Sequence, residues 1–117
     1  MATDFRSGKD FPRRGRDQHG GYFWILRVFD KARAARNGTI HDYIYPCPLD
    51  RGVFERWGIT ANDFNAALET AQTDNEIVAW LDGRVSAVQK AAANAWVIND
   101  KKESLDKQDL EEGVVAA

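Results

Sequence analysis

One cysteine, one methionine and two histidines are spread over 117 residues, and these scarcities exclude several classes of protein at once. A lone cysteine forms no internal disulfide and fits a reducing compartment. With only His19, His41 and Cys47 on offer, the paired-ligand spacings of zinc sites are missing, and no metal or other cofactor is expected. No stretch approaches the roughly 18 consecutive apolar residues of a membrane helix. The leading MATDFRSGKDF has no apolar core of a secretory signal. A cytoplasmic protein without a membrane partner is expected. The glycine spacings of Walker and dinucleotide-binding loops are absent too.

What is present is burial-worthy surface. Four tryptophans and a 44% hydrophobic content separate the chain from disordered ones, and its length suits one domain with one modest core. Charge is unevenly placed. Residues 1–40 carry nine Lys/Arg against four Asp/Glu, a balance of +5, and residues 41–117 carry seven against fourteen, a balance of −7, which together make the net −2. A basic leading third meets either an anionic partner or the acidic remainder of its own fold or of a second subunit. The overall acidic balance favours the second.

Residues 1–19 show neither helical nor strand periodicity and read as an irregular basic arm. Gly20-Gly21 turns the chain into a helix from about Tyr22 to Arg36, with Tyr22, Ile25, Leu26, Phe29 and Ala32 on one apolar stripe and Asn37-Gly38 as its stop. Thr39–Tyr45 reads as a brief extended segment or hairpin arm, and Pro46 and Pro48 hold the next residues non-helical. Asp50 is placed as the cap of a helix ending at Trp57-Gly58. Thr60–Asp63, Thr73–Glu76 and Ser86–Gln89 read as capping boxes opening helices to about Gln72, Asp82 and Asn99. Their expected inner faces are Phe64, Leu68 and Ala71, then Ile77, Trp80 and Leu81, then Val88, Ala92, Ala95 and Trp96. Past Lys101 the chain is highly charged; Leu105 and Leu110 suit a last weak helix, with fraying from Gly113 onward. The expected fold is all-α, a compact bundle of about five short helices with an irregular basic N-terminal arm. Its parts are the arm (1–19), a helical domain (20–100) and a charged C-terminal tail (101–117).

Candidate chemistry concentrates between Arg27 and Asp50. Arg27, Asp30, Lys31 and Arg33 crowd onto an otherwise apolar helix. Either Arg27 and Arg33 hold an anion while Asp30 orients them, or Asp30 staples the arm to its own helix. Arg13, Arg14 and Arg16 before the glycine pair sketch an anion site at a helix N-terminus. Cys47 has His41 before it and Asp50 after it, so a covalent enzyme using Cys47, His41 and Asp30 is an alternative. A helix-turn-helix is excluded, because the would-be recognition helix DNEIVAWLD carries carboxylates and no Lys/Arg. Weak single-stranded nucleic-acid binding by the arm would need its aromatic rings exposed. The leading reading is a binding or interaction module, self-associating, that recognises an anionic small molecule or an acidic protein segment. Its site comprises Arg16, Arg27, Asp30, Lys31, Arg33, Tyr43, Cys47 and Asp50.

These residues stand in a recognisable order: Pro12-Arg13, Arg16-Asp17, Gly20-Gly21, Arg27, the DKARA run from Asp30 to Ala34, Gly38, Tyr43, Tyr45 and the CPLD run from Cys47 to Asp50. Gly58-Ile59, Phe64 and Val78-Ala79-Trp80-Leu81 continue it more loosely. Over residues 11–83 the chain resembles a small bacterial family catalogued as a domain of unknown function. Members of that family have Ser-Pro where this chain has Arg14-Gly15, which implies a looser arm here. The resemblance implies that arm, charged helix and CPLD turn form one unit, and it brings no established activity.

Overall fold

The computed structural model describes residues 4–113 and shows six α-helices and no strand among them. They are α1 (Ile25–Asn37), α2 (Pro48–Trp57), α3 (Ala61–Ala67), α4 (Asp74–Asp82), α5 (Ala87–Ala95) and α6 (Lys102–Glu111). A π-helical turn, Trp96–Asp100, joins α5 to α6. None of these helices is long and apolar enough to cross a membrane.

Local capping decides where most helices begin. Thr60, Thr73 and Ser86 each accept from the N–H three residues on, at 3.1, 3.2 and 3.1 Å. Asp63, Glu76 and Gln89 return the bond to the cap residue, so two orphan donors are satisfied at each start. A fourth box was not expected. Helix α2 begins at Pro48, with Cys47 rather than Asp50 as its cap: the Cys47 sulfur accepts from Asp50 N–H at 3.4 Å, and Asp50 accepts from Cys47 N–H at 2.9 Å. Proline at the first helical position lacks an N–H that would have gone unpaired anyway.

Other expectations shift for equally local reasons. Helix α1 starts three residues late because His19–Tyr22 closes a tight turn through mutual N–H···O bonds of 3.0 Å, with Gly20 and Gly21 both at positive φ. Lys90 and Asn94 of α5 then hold the carbonyls of Gly20 and Gly21 at 2.7 and 2.8 Å. Helix α3 stops at Ala67, not Gln72, as residues 68–70 tighten into three-residue bonds of 3.1 to 3.2 Å. The stretch 39–45 is a run of turns with His41 at φ 55°, not an extended arm. Helix α5 presents a different face from the one expected. Val88 is 80% exposed and Ala92 and Ala95 are exposed, while Ala93 and Val97 are buried. In so alanine-rich a helix the apolar stripe carries little signal, and Asn94, which also accepts from Phe23 N–H at 3.0 Å, marks the inner side.

The core joins Tyr22, Trp24, Ile25, Val28 and Phe29 to Val53, Phe54 and Trp57 of α2, Phe64 of α3, Ile77 and Leu81 of α4, and Val97. The tail helix α6 docks through buried Leu105, while Leu110 stays exposed. The fraying expected past Gly113 lies outside the described residues. Gly20 shows what the tight turn demands. A Cβ there would meet the buried Val78 side chain and sit at φ +59°, whereas one on Gly38, at φ +72°, meets nothing within 4 Å. Gly20→Ala is therefore expected to cost about 2–4 kcal/mol, backbone strain plus overpacking. Gly38→Ala should cost only about 1 kcal/mol. Urea midpoints of the two variants decide it, and equal losses would contradict the packing of the turn on α4.

Candidate functional site

Helix α1 is buried along most of its length, Arg27, Asp30 and Lys31 included. Burying an unpaired charge is prohibitive, so each of these side chains must find partners. Three clusters result, linked through Trp24 and the Arg13 carbonyl.

The first surrounds Asp50. Its carboxylate has no exposure and accepts from Trp24 Nε1 at 2.8 Å, Lys31 Nζ at 2.7 Å and Cys47 N–H at 2.9 Å. The Lys31 ammonium also lies 3.2 Å from the Cys47 sulfur. One carboxylate thus ties the residue before α1, the middle of α1 and the start of α2.

Asp30 forms the second. It accepts from Arg13 backbone N–H at 2.9 Å, Arg13 Nε and Nη2 at 3.0 Å each, and Arg33 Nη2 at 2.9 Å. Arg13 turns its remaining edge to Asp74 of α4, at 2.7 and 2.8 Å. Those bonds hold the Asp74 carboxyl below its ordinary value against the opposing effect of burial, and burial in turn lowers Arg33 despite Asp30.

The third cluster faces α6. Arg27 forks onto Glu112 at 3.0 and 2.6 Å and lies over the rings of Trp24 and Tyr43. The Tyr43 hydroxyl donates to Glu112 at 2.9 Å; burial and this bond raise its pKa, so it stays protonated. Arg14 binds Asp109 at 2.9 Å, and Arg16 binds Asp106 at 2.7 Å with Asp109 3.4 Å from its Nε. Burial opposes the charge of Arg27, and Glu112 more than offsets this, raising it above the ordinary guanidinium value.

A family model described as a domain of unknown function, DUF5069, matches residues 9–116. The chain belongs to that family. No curated protein matches it. The DUF5069 match reaches past the span of motif resemblance, 11–83, and takes in α5 and α6.

The structure therefore distributes the eight expected site residues over three places. Lys31, Cys47 and Asp50 meet one another; Asp30 meets Arg33; Arg27 and Tyr43 meet at Glu112, and Arg16 meets Asp106 and Asp109 of the same α6. The set Cys47, His41 and Asp30 is not brought together. His41 faces Asp42 at 3.4 Å, and Asp30 is held by Arg13 and Arg33. The arginines before the glycine pair go to carboxylates. Among the described residues no group of three or more His, Cys, Asp or Glu could hold a metal ion. Trp24, Asp74 and Glu112 are not marked as site residues by the sequence, and Arg13 is marked only as part of an anion site before the glycine pair. Trp24 adjoined the charged helix and could have been; nothing local marks Glu112, which lies 85 residues from Arg27.

Two consequences are measurable. Lys31→Met strands the Asp50 carboxylate in the core and should cost about 3–5 kcal/mol, of which adding Asp50→Asn recovers a large part; a double-mutant cycle in urea checks the coupling. Asp74, with its lowered value, contributes stability that is present above about pH 4 and lost as pH falls through the native value. Asp74→Asn should thus flatten the acid limb of the stability curve, and an unchanged limb would deny Arg13 its role there.

Proposed function

We propose that this DUF5069 chain is a binding module for acidic protein segments, with Arg14, Arg16, Arg27 and Tyr43 as the recognising face. The observation that carries the reading is the register of α6. Its carboxylates at 106, 109 and the cap position 112 recur every three residues, and all three go to that face. Helix α6 itself buries only Leu105 and carries Glu103, Asp106, Asp109 and Glu111. It is held as an acidic peptide would be, by guanidinium–carboxylate pairs with one apolar anchor. Lys31, Asp30, Arg33, Cys47 and Asp50 support the face from beneath by fixing α1, the arm and the start of α2. A second copy of the chain offers the same acidic helix, so self-association by exchange of α6 fits the same chemistry.

Single-stranded nucleic acid is favoured less. Phe5, Tyr22 and Trp24 are buried, which leaves Phe11 as the exposed ring of the arm, and Arg13, Arg14 and Arg16 each meet a carboxylate. The test uses the full chain carrying Asp106→Asn and Asp109→Asn, which loosens α6 without stranding Arg27. Two part-exposed pairs are worth about 0.5–1 kcal/mol each. The variant should therefore bind a labelled peptide of residues 101–113 about tenfold more tightly than the wild type, and less tightly as salt rises. A folded variant that gains no affinity sinks the proposal.

A further inference from the structure

Of the four cationic side chains of α1, one stands apart from this pairing. Arg13, Arg14, Arg16, Arg27, Lys31 and Arg33 each lie against a carboxylate, but Arg36, in the last turn of α1, is exposed and has no ion pair among the described residues. It lines a cleft of about 350 Å³ between the C-terminal half of α1, the Tyr45-Pro46 turn and α3. That volume falls within the range of small-molecule sites, about 300 to 1,000 Å³. We propose that this cleft binds a small organic carboxylate with a compact apolar body, its carboxylate on Arg36.

The lining explains both halves of that ligand. Ala32 and Ala35 share a stripe with Arg36 at three- and four-residue spacing, and their small side chains leave room beside the helix. Buried Leu68, the Tyr45 ring and Pro46 supply apolar walls. No carboxylate lines the cleft, so an anion meets a cation and no like charge. Asn65 adds a second donor. Its Oδ1 accepts from the Tyr45 hydroxyl at 2.7 Å, which orients the amide and leaves both Nδ2 hydrogens for a ligand oxygen. Burial raises the Tyr45 pKa, so its hydroxyl keeps its proton and the amide keeps its orientation. A guanidinium at a helix C-terminus also complements the helix dipole, which is what Arg36 would do with no ligand at all. The two roles differ in geometry: a dipole accepts any positive charge, while a carboxylate prefers the planar fork.

The site is distinct from the arm and α6, and its fate does not depend on theirs. Amide spectra of the full chain, titrated with benzoate and with uncharged benzamide, test it. Benzoate should move the amides of Ala32, Ala35, Arg36 and Leu68 saturably, with a dissociation constant on the order of millimolar for so few atoms. Benzamide should bind at least about tenfold more weakly, the order expected when a charge-assisted bond is lost. Arg36→Gln, at an exposed position, should abolish the preference for the anion, and Arg36→Lys should restore only part of it. Absence of saturation at tens of millimolar, equal binding of the two probes, or full retention in Arg36→Lys would overturn the proposal. Shifts centred instead on Arg27 and Tyr43 would place the anion on the arm and overturn it as well.

Discussion

A charged side chain can sit inside a small core only if an opposite charge is carried in to meet it, and α1 imposes that requirement three times in five residues. Arg27 draws in Glu112 from the end of α6, Asp30 draws in Arg13 from the arm, and Lys31 draws in Asp50 from the first turn of α2. Each partner belongs to a different stretch of chain. The central helix therefore specifies which segment lies against which of its sides. Apolar residues of equal volume would fill the same space without distinguishing the arm from the tail.

The same pairing accounts for the uneven charge of the chain. The basic arm and the acidic remainder meet directly: Arg13 bridges to α4, and Arg14 and Arg16 reach α6. The arm is thus irregular in conformation yet pinned, with Phe5 buried against Tyr43 and its N–H bonded to the Thr39 carbonyl at 2.9 Å. Tail and arm depend on each other. Helix α6 has too little apolar surface to dock alone, and the arm has no regular hydrogen bonding of its own. An acidic helix resting on a guanidinium face closes the structure.

The all-helical class and most helix starts were legible because a capping box is complete within four residues. Thr60, Thr73 and Ser86 are read without knowing anything else about the fold. Cys47 was the exception: a sulfur cap forms longer bonds and is not a residue one expects to close a box, so Asp50 was assigned the cap when it is the third helical residue. Helix ends and faces were less legible. Residues 68–70 wind more tightly than a helix, and the alanines of α5 present an equally small surface on every side, which left Val88 on the wrong face. The density of charge from Arg27 to Arg33 was legible, but its grouping into three clusters was invisible.

By itself, then, the sequence determined what short-range physics determines: where helices start, where glycine turns the chain, and that α1 must combine an apolar stripe with charges. Only the tertiary structure decided the partners. Arg14 and Asp109 are 95 residues apart, Arg27 and Glu112 are 85 apart, and Arg13 and Asp74 are 61 apart. A carboxylate anywhere in the acidic remainder would satisfy a guanidinium equally well, so the choice belongs to the packing that brings one of them within reach. The same holds for Arg36, whose lack of an ion pair among the described residues is a property of the folded surface and not of its neighbours in the chain.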